Sequence, residues 1–365
     1  MSAHLDVILA GRSICICTGS GGVGKTTTSA AIAIAMADRG LKVAVLTIDP
    51  ARRLADSLGL AELGNRPSRV ELAGVGEGGE LWAMMLDAKA TFDEVIERYA
   101  PDEEARLRIV DNRIYQQISG ALAGSQEYMA IEKLYELDAG GEYDLLVLDT
   151  PPSRNALDFL DAPRRVTQFI EGRTLRLFIR PTGFGARIAG RGFGAVSALL
   201  RRVTGGDLIA DLSEFFAAMA ALFGGFRDRA ERVESLLGDE RTAFLVITGP
   251  AGESIEEAGY LRAKLASAEL ALAAIVVNRV HRTAGPETEE PWLAEALGDP
   301  DLLDRVLAAD AGLRVLARRD RASVDRLRAE SPGVPIFEIP ELSEEVHDLD
   351  GLRAFAALLV APQPD

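Results

Sequence analysis

At 365 residues, with 48% hydrophobic and 26% charged residues, the chain has an ordinary globular composition and room for about two domains or one enlarged domain. Its formal net charge of -16 argues against general nucleic-acid binding, so we expect no specific nucleic-acid partner. No run of about 18 uncharged apolar residues occurs, so we also expect no transmembrane segment.

The first predicted elements are a strand, a glycine-rich loop and a helix. An apolar run over residues 13–17 predicts a buried strand, and an Ala- and Ile-rich pattern over residues 25–39 predicts a helix. Between them, residues 19–26 read G-x-x-x-x-G-K-T, the phosphate-binding loop pattern. This order favours a nucleotide site over a glycine-rich turn without a ligand. The predicted nucleotide-binding residues of this segment are Gly21, Gly22, Val23, Gly24, Lys25, Thr26 and Thr27.

The residue types of this loop suit the chemistry of phosphate binding. Glycines let the backbone curl, so that successive N–H groups point at phosphate oxygens. Lys25 places a compact positive charge on the outer phosphates, and the Thr26 hydroxyl can ligate Mg²⁺. The positive end of the following helix dipole adds to the attraction. The sequence therefore predicts a nucleoside triphosphate site with Mg²⁺.

The second predicted strand covers residues 41–49 and ends at Asp49, before a short helix over residues 52–58. An aspartate at the carboxyl end of a parallel strand lies where ligands bind in such sheets. The simpler role for Asp49 is a helix N-cap, and the two roles are compatible. Residues 65–79 are predicted to be a loop, and residues 81–87 a third strand.

A helical pattern over residues 88–137, with breaks at Pro101 and Gly124, precedes the second strong signal. Residues 143–149 are an apolar strand that ends at Asp149. A buried parallel strand that delivers one carboxylate is typical of the Mg²⁺ side of phosphate-loop enzymes. Asp149 is therefore predicted, with Thr26, to bind the metal.

Residues 162–238 show no strand pattern. Nine arginines and a single acidic residue, Glu171, lie between residues 162 and 206, which indicates either a solvated face or a docking site for an anionic surface. Apolar residues then recur at helical spacing from Leu208 to Phe226. This face either packs inside a helical subdomain or receives an apolar client.

The α/β pattern resumes after residue 238. Strands are predicted over residues 242–248, 270–278 and 335–340, and helices over residues 255–268, 302–329 and 349–360. The two cysteines lie on the first predicted strand as buried free thiols, which favours a reducing cytoplasm. Residues 1–12 lack a secretory pattern, so we predict a cytoplasmic protein.

These blocks, in this order, resemble the arsenical-pump ATPase family, which includes the tail-anchored-protein targeting ATPases. The resemblance implies a first switch at residues 47–51, where Asp49 orients the attacking water, and a second switch at residues 148–153, where Asp149 serves Mg²⁺. It also implies that Asn278 reads the adenine edge and that the loop with Pro340 and Glu341 closes over the base. Asp49 and Lys25 are then the catalytic residues.

The same resemblance implies a doubly wound, mostly parallel sheet of the phosphate-loop NTPase type with an inserted helical subdomain. Residues 1–87, 138–161 and 239–365 would form the nucleotide-binding core. Residues 88–137 and 162–238 would form the helical subdomain.

Three departures from the family pattern limit this expectation. Its phosphate loop carries a lysine as second residue, where this chain has Ser20. Metalloid-binding members use a cysteine cluster, which Cys15 and Cys17 cannot assemble, and targeting members hold zinc with CxxC, which this chain lacks. We therefore expect no metalloid and no zinc-held dimer.

Three functions follow from these observations. The first is a Mg-ATP-dependent ATPase whose helical subdomain handles a client or partner, as a homodimer or as a heterodimer with a paralogous ATPase. The second is a weakly hydrolysing, nucleotide-gated regulatory or scaffold subunit of such a heterodimer, which Ser20 favours. The third is a membrane- or DNA-positioning ATPase, which the absence of a basic amphipathic C-terminal segment ranks last.

Overall fold

The computed structural model describes residues 4–48, 53–113, 115–116, 126–151, 215, 223–283 and 290–361. Four sequence predictions fall wholly or largely outside these residues. They concern Asp49, the break at Gly124, the arginine-rich stretch and most of the apolar face from Leu208 to Phe226.

Eight strands of the described residues form a single sheet. They are β1 (Ile14–Gly19), β2 (Lys42–Thr47), β3 (Ser68–Val70), β4 (Glu80–Met85), β5 (Leu145–Asp149), β6 (Thr242–Thr248), β7 (Leu272–Val280) and β8 (Ile336–Pro340). Their spatial order is β3-β4-β2-β5-β1-β6-β7-β8. All neighbours are parallel except β3, which runs antiparallel to β4. This arrangement confirms the predicted α/β fold with a mostly parallel sheet.

Helices connect and flank these strands. In the described residues they are α1 (Leu5–Leu9), α2 (Lys25–Ala37), α3 (Arg53–Ser57), α4 (Ala88–Tyr99), α5 (Glu103–Val110), α6 (Gln126–Gly140), α7 (Phe223–Leu237), α8 (Gly252–Ser267), α9 (Glu290–Leu297), α10 (Pro300–Glu330) and α11 (Leu349–Val360). Aspartate side chains cap four of these helices and accept hydrogen bonds from N–H groups of each first turn. They are Asp87 of α4, Asp102 of α5, Asp299 of α10 and Asp348 of α11.

The core lies at the centre of the sheet. Strands β1, β5 and β6 are buried at every position, as expected for parallel strands covered on both faces. Helix α2 is buried from Thr28 to Ala37 and packs against β2, β5 and α11. Its small alanine side chains allow this close approach, and its burial holds the preceding loop at the end of β1.

The structure differs from the sequence predictions at the sheet margin. The segment predicted as a loop over residues 65–79 contains β3, in which Arg69 pairs with Trp82 of β4. Three residues are too few to show strand alternation, so only pairing reveals this strand. Strand β7 extends two residues beyond its predicted end, with an irregularity in its pairing to β8 between Val277 and Val280. Asn278, predicted as the last residue of this strand, therefore lies two residues before its end.

The chain divides into two compact units. The first comprises Met1–Met85, Gly140–Leu157 and Glu240–Asp365, and it contains the sheet. The second comprises Leu86–Ala139 and Asp158–Asp239, and its described elements are helices. The nucleotide-binding and client-handling roles assigned to these parts of the chain remain predictions. Among the described residues, no helix has both the length and the apolarity of a membrane span.

A buried ion pair joins two helices of the second unit. Arg229 Nε of α7 lies 2.7 Å from Glu132 Oε1 of α6, and both side chains are at most 9% exposed. Burial raises the pKa of Glu132, and the nearby Arg229 charge opposes that rise only in part. The Arg229 guanidinium also lies 4.0 Å from the centre of the Tyr135 ring. Charge pairing and stacking therefore hold α6 and α7 together.

Gly19→Ala should destabilise the sheet, because Gly19 faces Ile247 across the β1–β6 ladder without space for a side chain. A Cβ at position 19 would lie 1.9 Å from the Ile247 carbonyl oxygen. We expect a loss of about 1–3 kcal/mol, measured as a lower midpoint of urea unfolding. Gly312→Ala on α10 is the control: it meets no atom within 4 Å and should stabilise the protein by about 0.5–1 kcal/mol. Equal midpoints for Gly19→Ala and the parent would contradict the close approach.

Candidate functional site

The glycine-rich loop joins the central strand of the sheet to its most buried helix. β1 ends at Gly19, and α2 begins at Lys25. Gly24 caps α2 in a left-handed conformation with φ of 88°, which glycine adopts without strain. The N-terminal N–H groups of α2 and its positive dipole end thus lie at the end of the loop, as an anion site requires.

The Lys25 side chain lies over this loop. Its Nζ atom donates a hydrogen bond of 2.7 Å to the Ser20 carbonyl oxygen, and the residue is only 6% exposed. The Ser20 Oγ atom is itself buried, with no hydrogen-bond partner among the described residues. The ammonium group is therefore held beside the backbone that would surround a phosphate.

One carboxylate links the loop to two strands. Asp149, at the end of β5, is 1% exposed, and its Oδ2 atom accepts hydrogen bonds from two hydroxyls. Thr26 Oγ1 donates at 2.7 Å from the start of α2, and Thr47 Oγ1 donates at 3.0 Å from the end of β2. Thr150 Oγ1 donates to the Cys17 carbonyl oxygen at 2.9 Å and ties the next residue to β1. The loop and the ends of β2 and β5, where the two switches are predicted, are thus connected by short polar contacts.

Thr26 and Asp149 suit a magnesium ion. Mg²⁺ takes oxygen ligands, commonly one or two protein oxygens together with phosphate oxygens and water. A threonine hydroxyl and a carboxylate within 2.7 Å of each other beside a phosphate-binding loop provide that donor set. Their roles as metal ligands remain predictions.

A cavity of about 690 Å³ opens beside the loop in the first unit. Eight of the predicted site residues line it: Gly22, Gly24, Lys25, Thr26, Thr27, Asn278, Pro340 and Glu341. Gly21 and Val23 belong to the same loop, and Asp149 lies behind it, bonded to Thr26. Asp49 lies outside the described residues. The structure therefore brings the loop and the predicted base-binding segments to one cavity, while the function of each residue remains a prediction.

Several lining residues are not among the predicted site residues. They are Arg53, Asp56 and Ser57 of α3 and its end, Thr150, Arg279, Phe355, and Leu342 to His347 after β8. Arg279 has a left-handed φ of 63°, and its Nε atom lies 3.9 Å from Glu341 Oε2. The Glu341 N–H donates to the Val280 carbonyl oxygen at 3.1 Å. Pairing of β7 with β8 thus places Arg279 beside the predicted base-binding loop, which sequence spacing alone could not indicate.

Asn278 contacts the phosphate loop directly. It is 4% exposed, and its Nδ2 atom donates to the Val23 carbonyl oxygen at 2.9 Å. Its Oδ1 atom accepts from the Arg279 N–H at 2.9 Å. A Cβ on Gly24 would come within 2.4 Å of the Asn278 amide nitrogen, so the loop and this side chain are closely packed. Asn278 therefore supports the loop, in addition to its predicted contact with the base.

Comparisons with known proteins agree with this geometry. The sequence model of the family described as Anion-transporting ATPase matches residues 12–290. The chain is 27% identical over 344 residues to ATPase ARSA1 of Chlamydomonas reinhardtii and 25% identical over 348 residues to ATPase ARSA2 of the same alga. It is 25% identical over 338 residues to the ATPase ASNA1 homolog of Trypanosoma cruzi.

These matches cover most of the chain and different shares of each relative. The aligned part is 89%, 94% and 89% of the chain for ARSA1, ARSA2 and the ASNA1 homolog. It spans 41% of ARSA1, 83% of ARSA2 and 81% of the ASNA1 homolog. The resemblance inferred from the sequence motifs is confirmed.

Asn278→Ala should weaken nucleotide binding whichever base the nucleotide carries. The substitution removes the hydrogen bond to the Val23 carbonyl and leaves that buried acceptor unpaired, which costs about 1–3 kcal/mol. We expect the affinities for ADP and GDP to fall by a similar factor, roughly tenfold or more, in calorimetric titrations. Arg279→Ala is the control, since it leaves the Val23 contact intact. A loss confined to ADP would show that Asn278 acts on the base alone.

Proposed function

The chain belongs to the anion-transporting ATPase family, which classes it as an ATPase, and we propose that it hydrolyses Mg-ATP in the cavity beside the glycine-rich loop. The observation that carries the proposal is the contact between Thr26 and Asp149. It joins the phosphate loop to the carboxyl end of β5, where phosphate-loop enzymes hold their metal.

The loop residues would bind the phosphates of ATP. Backbone N–H groups at the start of α2 would donate hydrogen bonds to the phosphate oxygens. Lys25 would give up its hydrogen bond to the Ser20 carbonyl oxygen and bind a phosphate oxygen instead. Thr26 and Asp149 would hold Mg²⁺, which neutralises phosphate charge when bound. Because Lys25 and Thr26 sit at the start of a buried helix, little reorganisation is needed on binding.

Asp49 is proposed to orient the attacking water. It follows Ile48, whose N–H donates to the Asp149 carbonyl oxygen at 3.4 Å, at the carboxyl end of β2. The neighbouring Thr47 hydroxyl already contacts Asp149. A movement of Asp149 when the bound phosphates change would therefore be transmitted to the predicted first switch through Thr47 and Ile48.

The proposed output of the cycle is the handling of a client or partner by residues 88–137 and 162–238. Support comes from the sequence pattern, in which an apolar helical face follows an arginine-rich stretch. An apolar client protein or an anionic surface would suit these two features. The buried Glu132–Arg229 pair is a candidate rigid base for such a unit.

Metalloid binding is not part of this proposal. Cys15 and Cys17 are both fully buried within β1. A hydrogen bond with Cys17, together with burial, raises the pKa of Cys15 well above its ordinary value. A buried, protonated thiol is a poor ligand, because soft metal ions bind the thiolate.

Ser20 supports a second candidate, a slowly hydrolysing subunit that works with a partner. In the family pattern the second loop residue is a lysine that reaches the phosphates of a partner subunit. A serine hydroxyl carries no charge, and here the Ser20 Oγ atom is buried within its own chain. We propose a homodimer with slow turnover or a heterodimer in which a paralogous ATPase supplies the cation.

Asp49→Asn tests the switch assignment. We expect near-normal ATP binding, because the phosphate contacts of the loop are kept, and a loss of steady-state turnover of about 10²–10⁴-fold. Lys25→Ala is the companion variant and should lose binding itself. Wild-type turnover in Asp49→Asn would remove Asp49 from the mechanism. A failure of the parent chain to bind ATP would overturn the proposed function.

Ser20→Lys tests whether the missing cation limits the rate. A positive charge supplied from a partner subunit contributes about 10³–10⁵ to phosphoryl transfer, which is roughly 4–7 kcal/mol of barrier. We expect slow turnover in the parent and faster turnover in Ser20→Lys, whereas Ser20→Gln, of similar length without charge, should stay slow. Brisk turnover in the parent, unchanged by Ser20→Lys, would show that the lysine is dispensable here.

A further inference from the structure

A second cavity has a volume of about 550 Å³. Residues at and after the end of β7 line one part of it, and residues of α10 line another. Among its lining residues are four arginines: Arg282 beyond the end of β7, and Arg314, Arg318 and Arg321 of α10. No residue lines both this cavity and the nucleotide cavity in the described part of the chain. We call it the arginine cavity.

The three helix arginines share one face of α10. Their spacing of four and then three residues places them on adjacent turns, where like charges repel. Such a row is unusual in a chain with a net charge of -16, which has carboxylates in excess. The repulsion would be relieved by an anion that contacts several of the guanidinium groups at once.

Carboxylates of the protein neutralise this charge only in part. Arg314 pairs with Asp310 at 2.7 Å, and Glu338, the one acidic lining residue, pairs with Arg328 at 2.9 Å. Arg282 Nη2 donates to the Glu338 carbonyl oxygen. Among described residues, none forms an ion pair or hydrogen bond with the guanidinium groups of Arg318 and Arg321. The cavity therefore keeps at least two guanidinium groups available for an anion.

The wall of the cavity is held in place by a buried carboxylate. Asp320 is fully buried, and its Oδ2 atom contacts both the backbone N–H and the Nδ1 atom of His281, at 3.0 and 2.7 Å. Its Oδ1 atom accepts from Arg319 at 3.0 Å. Burial raises the pKa of Asp320, but these hydrogen bonds outweigh burial and lower it overall. The segment after β7 and α10 are thus joined before any ligand arrives.

We propose that the arginine cavity binds a small polyanion that carries two or more phosphate or carboxylate groups. Arginine binds both groups through paired N–H donors, so several guanidinium groups suit a ligand with several charges. The volume is that of a small-molecule site. Apart from Val280 and Ala317, the described lining is polar or charged and contains no Phe, Tyr or Trp, so recognition rests on charge. The proposal is independent of ATP hydrolysis.

The test is calorimetric titration of the full chain with tripolyphosphate and, separately, with citrate. Both titrations use the Lys25→Ala background, so that the phosphate loop does not contribute, and circular dichroism confirms that each variant is folded. We expect one binding site for at least one of the two probes. Arg318→Gln/Arg321→Gln should weaken it by roughly tenfold or more, since two charge-assisted contacts are lost.

Arg305→Gln/Arg326→Gln is the matched control, because it removes two charges from the same helix outside the cavity lining. It should leave the affinity nearly unchanged. Tripolyphosphate binding alone would assign a phosphorylated ligand, and citrate binding would extend the class to carboxylates. Absence of binding by both probes, or an equal loss in the two double variants, would overturn the proposal.

Discussion

One carboxylate oxygen joins the segments on which the nucleotide site depends. Asp149 Oδ2 accepts hydrogen bonds from the hydroxyl groups of Thr26 in α2 and Thr47 in β2. Because β5 lies between β1 and β2 in the sheet, its last residue lies beside both the loop after β1 and the end of β2, where the first switch is predicted. A buried carboxylate requires such partners, since desolvation without them is costly. The hydrogen bonds that satisfy Asp149 therefore hold the start of α2 and the end of β2 in place relative to each other.

The sequence predicted the parts of the fold whose signals are local and strong. Long apolar runs marked the buried strands, and the loop motif together with the aspartate at the end of β5 marked the candidate phosphate site. Strand β3 was not predicted, because three residues show no periodicity and the strand is defined only by its pairing with β4. The ends of β7 were misplaced by two residues for a similar reason, since its pairing with β8 extends the strand through an irregularity.

The candidate site was predictable only to the level of its motifs. The resemblance to the family predicted Asn278 as a site residue, but its hydrogen bond to the Val23 carbonyl links residues more than two hundred positions apart. Arg53 and Arg279 line the cavity through the geometry of α3 and of the β7–β8 pair. The arginine cavity is similar, because the i, i+4, i+7 spacing on α10 gains meaning only when the segment after β7 faces it. Contacts across the sheet are what sequence patterns omit.

The central position of β1 also decides when the chain can fold. β1 is made first, yet its two neighbours are β5 and β6, and Gly19 pairs with Ile247, about 230 residues later. At a synthesis rate of about 5–20 residues per second, the last neighbour appears on the order of 10–50 s after β1. Both edges of β1 lack a partner until β5 is made, and the edge that pairs with β6 stays open for the whole interval. Its closure is a long-range, entropically slow event. The nascent chain therefore exposes an apolar strand edge until β6 has been made.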